Sequence, residues 1–194
     1  MTTLDFKTRN IAVVDLETTG LDCKTHEIIE IGLVVCSQPN LEIIEVWETK
    51  VKPTHIETAT EEAFKVNGYN KEEWEHADNL IEALEIFAKK TEDCMLCGHN
   101  IWFDWSFLNE AFINHGIKHK LDYHMLDTFT MVWQKLSTTT IARANLNVAA
   151  EFMGIEPEPT IHRALNGAMT DYKLLKALKT NSVKPNQGSK GSLL

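Results

Sequence analysis

The chain has 194 residues, of which 43% are hydrophobic and 24% are charged, which is typical of one soluble α/β domain with a sizeable core. No run of about 18 apolar residues occurs, which excludes a membrane-spanning helix. The N-terminus has no basic segment followed by an apolar core, which predicts a cytoplasmic protein without a signal peptide. The formal net charge of −9 argues against a long, non-specific surface for duplex nucleic acid, which would be basic.

Apolar periodicity and turn residues predict a mixed α/β sheet of five strands flanked by helices. The first three strands are joined by short loops, so an antiparallel meander is expected, and the later strands alternate with helices. The predicted strands are residues 11–14, 28–35, 41–51, 94–97 and 123–126. The predicted helices are residues 60–66, 77–90, 104–115, 128–136, 146–153 and 164–178. Residues 1–179 are expected to form the domain, and residues 180–194, which are rich in Ser, Lys, Gly and Asn, a flexible tail.

Cys94 and Cys97 have the C-x-x-C spacing of half a zinc site or of a redox pair. The alternative is two apolar cysteines near a buried strand of a reduced protein. Residues three apart on a strand point to opposite faces of the sheet. The spacing therefore favours a structural role for this pair.

Two carboxylates close the first predicted strand. Asp15 and Glu17 follow a run of Ile, Ala and Val, and their side chains share one face because side chains alternate along a strand. Carboxylates side by side repel each other, so they need a proton or a cation. Their hard oxygen atoms select Mg²⁺ or Mn²⁺. The alternative is two exposed charges where a strand meets its turn, and a lone D-x-E pattern is weak by itself.

Two further polar segments follow later in the chain. His99-Asn-Ile-Trp-Phe-Asp104 places Asp104 where a strand gives way to a helix, and an acidic residue there is also favoured by the helix dipole alone. His162-Arg-Ala-Leu165 opens the last predicted helix. A single histidine at such a place is more often a structural polar residue than a base.

The order and spacing of these segments resemble the motifs of the DEDD superfamily of 3′→5′ exonucleases, in the DEDDh branch that uses a histidine. Asp-Leu-Glu-Thr-Thr-Gly-Leu at 15–21 resembles the first motif, residues 99–104 the second and residues 162–165 the third. Asp127-Thr128 resembles an Asp-Thr pair that recurs after the fifth strand. The resemblance extends from about Asn10 to Leu178. In these motifs the chain is similar to the proofreading exonucleases of bacterial DNA polymerases and to related phage and bacterial exonucleases. This resemblance implies a ribonuclease H-like fold.

The resemblance also implies a two-metal site with Mg²⁺ or Mn²⁺. Asp15 would bind both ions, Glu17 one of them, and Asp104 would help to hold the second. His162 would be the general base that takes a proton from the attacking water. The implied substrate is the 3′ end of single-stranded DNA or RNA, and the implied product is a 5′-mononucleotide. The implied substrate contacts are Thr18, Thr19, Leu21, His99, Asn100, Trp102 and Phe103, with turn chemistry or core packing as the alternative for several of them.

One position departs from the pattern. The family has an aspartate ligand five residues after the histidine, where this chain has Gly167. Asp171 lies one helical turn further on and is a candidate substitute acting through water. The chain is therefore expected to be an enzyme inactivated by substitution, a weakened enzyme, or a non-catalytic pseudonuclease that binds nucleic acid or a partner. Three questions stay open at this point: DNA or RNA as substrate, a natural or an engineered Gly167, and a homodimer or a polymerase subunit as the assembly.

Overall fold

A computed structural model of the chain, which describes residues 5–137 and 139–180, contains the predicted five-stranded mixed sheet. The strands lie in the order β3-β2-β1-β4-β5. The first three form an antiparallel meander, while β1 and β4, and β4 and β5, run parallel. Their bounds are β1 Ile11–Thr18, β2 Ile28–Cys36, β3 Ile43–Lys50, β4 Met95–Gly98 and β5 Met125–Asp127.

Seven α-helices surround this sheet within the described residues, together with one short 3-10 helix at Ile56–Thr58. The helices are α1 Glu61–Asn67, α2 Lys71–Trp74, α3 Leu80–Lys90, α4 Trp102–His115, α5 Thr128–Leu136, α6 Leu146–Phe152 and α7 Ala164–Thr180. Helix α7 ends two residues later than predicted. The predicted tail, from residue 181 onward, lies outside the described residues, and none of the described helices is both long and apolar enough to cross a membrane.

Side-chain caps explain where the predicted helix bounds were wrong. Helix α3 begins at Leu80 and not at residue 77, because the side chain of Asn79 accepts a hydrogen bond from the Glu82 N–H. Just before it, Asp78 pairs with Val51 in a β-bridge. The unpredicted helix α2 has four residues and is capped by Asn70. Such a helix is too short to show an apolar period.

The two faces of the sheet are covered by different helices. Ala12, Val14 and Leu16 of β1 pack in one core cluster with residues of α3 and α4. Ile11 and Val13 pack on the opposite face in a second cluster with residues of α7. Because side chains alternate, Asp15 and Glu17 continue the face that α7 covers.

The two cysteines of the C-x-x-C pattern lie on opposite faces of the sheet. Cys94 belongs to the cluster below α3 and α4, and Cys97 to the cluster below α7. Burial raises the pKa of both thiols, so neither is a reactive thiolate at neutral pH. His115 and His119 follow the pair with H-x-x-x-H spacing, but His119 packs against the Phe112 ring. The structural role of the pair is thereby confirmed.

Helix α7 approaches the sheet closely at its first turn. Gly32 of β2 pairs with Asp15 of β1, and a Cβ atom on Gly32 would lie 2.2 Å from the carbonyl carbon of Ala164. Arg163 fastens the helix start, because its Nη1 donates to the carbonyl oxygen of Asn67 at 2.7 Å and to Glu30 Oε1 at 3.3 Å. These contacts place the segment before α7 beside the carboxyl end of β1.

Candidate active site

A pocket of about 810 Å³ opens at the carboxyl ends of the parallel strands β1 and β4. It brings together residues of all three sequence motifs, which are separated by more than one hundred positions in the chain. The carboxyl ends of neighbouring parallel strands lie at the same end of the sheet, so the motifs that follow these strands meet there. The lining residues are Asp15, Leu16, Glu17, His99, Asn100, Phe129, Arg143, Ala144, Asn145, Leu146, Asn147, Glu158 and His162.

Asp15 and Glu17 form the acidic floor of this pocket. Desolvation, followed by the negative charges of Asp104 and Glu17, raises the pKa of Asp15 well above its usual value. Glu17 is buried, and desolvation together with the charges of Glu30 and Glu158 raises its pKa to about 8. Burial and mutual repulsion thus disfavour the charged forms of this pair, and a bound cation would favour them.

Asp104 lies behind β1, inside the first turn of α4, and not at the first position of the helix as predicted. Its Oδ1 accepts a hydrogen bond from the Leu16 N–H at 3.0 Å, and the residue is 3% exposed. Desolvation raises its pKa, while the hydrogen bonds from backbone N–H groups act in the opposite direction. Asp104 thus joins Asp15 and Glu17 in one electrostatic cluster, as the motif spacing predicted.

Asp171 is buried deeper and does not line the pocket. One of its oxygens accepts a hydrogen bond from the Thr128 hydroxyl, and the other has no hydrogen-bond partner among the described residues. Burial raises the pKa of Asp171 to about 7. This position favours a buried, protonated group over the water-mediated ligand that the sequence allowed.

Gly167 lies directly against Asp15. A Cβ atom on Gly167 would be 2.3 Å from Asp15 Oδ2 and 2.7 Å from its Cγ. The Asp15 carboxylate therefore occupies the space that a side chain at position 167 would need. The third motif and the first motif thus meet where the family pattern expects two aspartates.

The donor chemistry of this cluster fits a hard divalent ion. Asp15, Glu17 and Asp104 offer only carboxylate oxygens, the ligands that Mg²⁺ and Mn²⁺ prefer, and their raised pKa values show that their charges lack compensation. Within residues 5–137 and 139–180, no three acidic, imidazole or thiol groups are already arranged to share one ion.

His162 lies at the pocket two residues before α7. Its backbone N–H donates to the Val66 carbonyl oxygen at 3.0 Å, which ties the segment to α1. Its side chain is 35% exposed, and its Nδ1 atom is 3.7 Å from Glu158 Oε1. The imidazole therefore lies at the solvent side of the acidic floor, where a proton can leave to water.

The predicted substrate contacts in the first motif divide into two kinds. The hydroxyl of Thr18 donates to the Gly20 carbonyl oxygen at 2.7 Å, and that of Thr19 accepts from the Glu27 N–H at 2.9 Å. Both threonines are buried, so their side chains stabilise the turn. Leu21 is 84% exposed and is free to contact a ligand.

The predicted contacts in the second motif are also divided. The His99 ring lies within hydrogen-bond distance of the Thr128 hydroxyl (3.1 Å) and of the Ala144 carbonyl oxygen (2.8 Å), and burial lowers its pKa. The Asn100 N–H donates to Asp127 Oδ1 at 2.8 Å. These bonds hold the pocket wall in place and leave the Asn100 side chain at the pocket.

Trp102 and Phe103 occupy different environments. Trp102 is 66% exposed on the first turn of α4, so its indole is available to stack on a base. Phe103 packs against Phe107, with ring centroids 5.1 Å apart, at the edge of the core cluster. The core interpretation therefore holds for Phe103.

Several pocket residues were missed from the sequence. Arg143, Asn145 and Asn147 come from the segment before and within α6, and Glu158 from the loop before α7. The prolines on both sides of Glu158 mark a loop but give no sign that its side chain is buried. Arg143 is a positive charge among acidic motifs, but the pattern of charges along the sequence does not distinguish a pocket residue from an exposed surface residue.

Sequence comparison finds a family model described as Exonuclease that matches residues 12–175. A DNA polymerase III PolC-type protein of Thermotoga maritima is 29% identical over 163 residues, which cover 84% of this chain and 11% of that protein. A 3′-5′ exonuclease DinG of Staphylococcus epidermidis is 31% identical over 169 residues, which cover 84% of this chain and 17% of that protein. The chain thus spans only a small part of these relatives.

Structural comparison finds the same fold in solved nucleases. The nuclease domain of 3′hExo, described as a DEDDh family member bound to rAMP, superimposes with a TM-score of 0.72 at 16% identity, covering 94% of this chain and 98% of that one. Escherichia coli exonuclease I in complex with a dT13 oligonucleotide gives a TM-score of 0.74 at 15% identity, covering 89% of this chain and 41% of that one. At such identities the likeness concerns the fold.

Proposed function

The chain belongs to the exonuclease family, and from that premise we propose that it is a metal-dependent 3′→5′ exonuclease weakened by the glycine at position 167. The observation that carries this proposal is the meeting of Asp15, Glu17 and His162 in one pocket, with Asp104 directly behind it. The substrate would be the 3′ end of single-stranded DNA or RNA, because the fold neighbours are described with dT13 and with rAMP. The product would be a 5′-mononucleotide.

In this proposal the acidic floor holds the cofactor. Asp15, Glu17 and Asp104 would bind Mg²⁺ or Mn²⁺, and the bound ions would stabilise negative charge on the attacking and leaving oxygens. Desolvation raises the pKa values of these groups, so a bound cation would favour the charged forms that the pocket by itself disfavours.

His162 would handle the proton of the attacking water. An imidazole at the solvent side of the pocket can take a proton from water and pass it to solvent. A bond forms between the water oxygen and phosphorus while the bond from phosphorus to the 3′ oxygen breaks. Arg143, which is exposed at the pocket, is placed to receive a phosphate of the strand.

The terminal nucleotide would lie between Leu21 of the first motif and Trp102 of the second. Leu21 and Trp102 are both largely exposed, and an exposed indole stacks on bases without regard to sequence. The acidic net charge fits a protein that grips one strand end and not a long duplex. The PolC-type relatives raise a polymerase assembly as one setting for this activity, and a homodimer is the other.

A nuclease assay tests this function. The purified chain is incubated with 5′-labelled single-stranded DNA and RNA in Mn²⁺, Mg²⁺ or EDTA, and products are separated on a gel. We expect slow shortening from the 3′ end with Mn²⁺, none with EDTA, and none for Asp15→Asn. The exposed Glu62→Gln on α1 is the control for removal of one negative charge and should behave like the parent chain.

The second candidate function is that of a non-catalytic pseudonuclease. It is favoured by the glycine at position 167, which offers no carboxylate beside Asp15. It predicts that the chain retains labelled strands in a filter-binding assay but does not shorten them in any metal. Restoring an acid at position 167 would then create an activity that the parent chain lacks altogether. Absence of both binding and cleavage would reject both candidates.

A further inference from the structure

The loop between α6 and α7 carries a carboxylate that the sequence motifs do not explain. Glu158 lines the pocket together with Asp15 and Glu17. Its backbone N–H donates to Asn147 Oδ1 at 3.0 Å, which anchors the loop to α6. Although the loop runs over the surface, the Glu158 side chain is only 5% exposed. The loop thus directs a charged group inwards.

Only Oε1 of this carboxylate has a partner among the described residues, an ion pair with His162 that exists when the imidazole is protonated. Glu158 Oε2 is buried and makes no hydrogen bond there. Its Oε1 is 3.7 Å from His162 Nδ1, which is beyond hydrogen-bond distance. A buried carboxylate without donors is costly, and native proteins compensate such groups with hydrogen bonds, cations or metal ions. The unpartnered oxygen therefore indicates that a cation completes the site.

Electrostatics place Glu158 close to the acidic floor. Its negative charge is among the causes that raise the pKa of Asp15 and of Glu17. The competing substitute, Asp171, also has an unpartnered oxygen and a charge that raises the pKa of Asp15. However, its other oxygen accepts a hydrogen bond from the Thr128 hydroxyl, and Asp171 does not line the pocket. Of these two carboxylates, Glu158 is the one that reaches the pocket with an unused oxygen.

We propose that Glu158 supplies the metal-binding carboxylate that the third motif lacks at Gly167. Gly167 lies against Asp15 but carries no side chain, so a fourth carboxylate would come from elsewhere in the chain, and the loop that leads into α7 borders the same pocket. Glutamate and aspartate offer the same hard oxygen donors to Mg²⁺ or Mn²⁺. This inference rests on the proposed function, because it presumes that Asp15 and Glu17 bind the ion.

The first test measures Mn²⁺ binding by titration calorimetry, without substrate. Glu158→Gln keeps the size of the side chain and removes its charge, and Glu156→Gln is the matched control, because Glu156 is exposed in the same loop. We expect Glu158→Gln to weaken Mn²⁺ binding by at least about tenfold, the lower end of what the loss of an indirect partner costs. Glu156→Gln should remain within about twofold, since exposed charges interact weakly.

The second test repeats the comparison in a Gly167→Asp background. If an acid at position 167 takes over the role of Glu158, then Glu158→Gln should cost much less Mn²⁺ affinity there than in the parent chain, which is a non-additive double-mutant cycle. Thermal melting checks that each variant is folded. If Gly167→Asp does not fold, the comparison of Glu158→Gln with Glu156→Gln decides alone.

The outcomes separate the inference from the function on which it rests. Equal Mn²⁺ affinities of the Glu158→Gln and Glu156→Gln variants, with binding lost in Asp15→Asn, overturn the role of Glu158 and leave the exonuclease proposal intact. A Glu158→Gln variant that keeps its Mn²⁺ affinity but shifts the pH profile of cleavage also overturns it, because Glu158 would then position His162. A parent chain that binds no Mn²⁺ overturns the metal-dependent function itself.

Discussion

At the scale of single residues, the site is defined by the contact between Asp15 and Gly167. A Cβ atom on Gly167 would lie 2.3 Å from Asp15 Oδ2, so the two atoms would overlap. The overlapping atom is the far end of a side chain, so a small rotation of Asp15 relieves it. An acid at position 167 therefore fits only if Asp15 turns, and an ion shared by both groups would favour that turn.

Gly167→Asp should raise cleavage by more than the roughly 10- to 100-fold that indirect partners contribute to metal sites. Without metal the variant should melt at a lower temperature than the parent, because overlap and added negative charge outweigh the backbone entropy recovered from a helical glycine. With excess Mn²⁺ it should show the larger stabilisation, since the ion binds the folded state. Melting curves with EDTA and with Mn²⁺, beside the gel assay, check this.

Gly167→Ala is the control for that experiment. It adds the same Cβ atom without a carboxylate, so it should show the overlap cost but neither the larger Mn²⁺ shift nor the added cleavage. If Gly167→Asp and Gly167→Ala behave alike, position 167 does not face the metal site.

His162→Ala should lower the cleavage rate by about 10²- to 10⁴-fold, the usual contribution of a positioned base. Its Mn²⁺ affinity should change little, because the carboxylates and not the imidazole bind the ion in the proposed site. Single-turnover rates and calorimetry measure the two quantities. His115→Ala, at an exposed position near the end of α4, is the control. A His162→Ala variant with near-parental rates would reject the base assignment.

At the scale of elements, the start of α7 depends on the close approach that Gly32 permits. Any side chain there would meet the backbone of Ala164 at 2.2 Å, and backbone cannot give way as a side chain does. Arg163 and His162 precede the helix and are held by the carbonyl oxygens of Asn67 and Val66, respectively. Helix α7, His162 and the acidic floor thus share one anchoring region.

Gly32→Ala should destabilise the protein by roughly 1–3 kcal/mol, the usual cost of overpacking, and should also lower cleavage by displacing the segment that carries His162. Gly116→Ala is the control, because Gly116 has φ +66° and nothing lies within 4 Å of its added Cβ. It should cost about 1 kcal/mol from left-handed strain alone and leave cleavage unchanged. Urea unfolding and the gel assay measure both. Equal loss of activity in the two variants would contradict the anchoring role of this contact.

At the scale of the whole molecule, negative charge is concentrated where burial is greatest. The net charge is −9, and the pocket floor adds desolvated carboxylates whose pKa values are raised, Glu17 to about 8 among them. Exposed acids such as Asp22 and Glu73 have lowered pKa values through their hydrogen bonds. Exposed acids are already ionised in both states above about pH 5. The half-buried histidines His99 and His119, whose pKa values burial lowers, act in the opposite direction below about pH 6.5, but the buried acids outnumber them and therefore dominate the response to pH in this range.

Stability without metal should fall as pH rises from about 5 to about 9. Between the ordinary pKa of Glu17, 4.5, and its folded value of about 8, the folded state binds more protons than the unfolded state, so each rise in pH favours unfolding. Asp171, raised to about 7, acts in the same direction. Melting temperatures across this range in EDTA test the slope. Excess Mn²⁺ and, independently, Glu17→Gln should each flatten it, and a metal-free protein that becomes more stable from pH 5 to 9 would contradict the uncompensated cluster.

The sequence by itself determined the order of the strands and of all the longer helices, the face that Asp15 and Glu17 share, and the absence of an acid at position 167. These features follow from residue periodicity and motif spacing, which can be read from a single sequence. They include helix α5, which was predicted with the bounds observed in the structure. Only the tertiary structure decided that the hydroxyls of Thr18 and Thr19 serve the turn, that Asp171 lies away from the pocket, and that Glu158 points into it. The physical reason is that desolvation depends on which distant elements cover a side chain, and the prolines beside Glu158 reveal a loop but not the helices that bury its carboxylate.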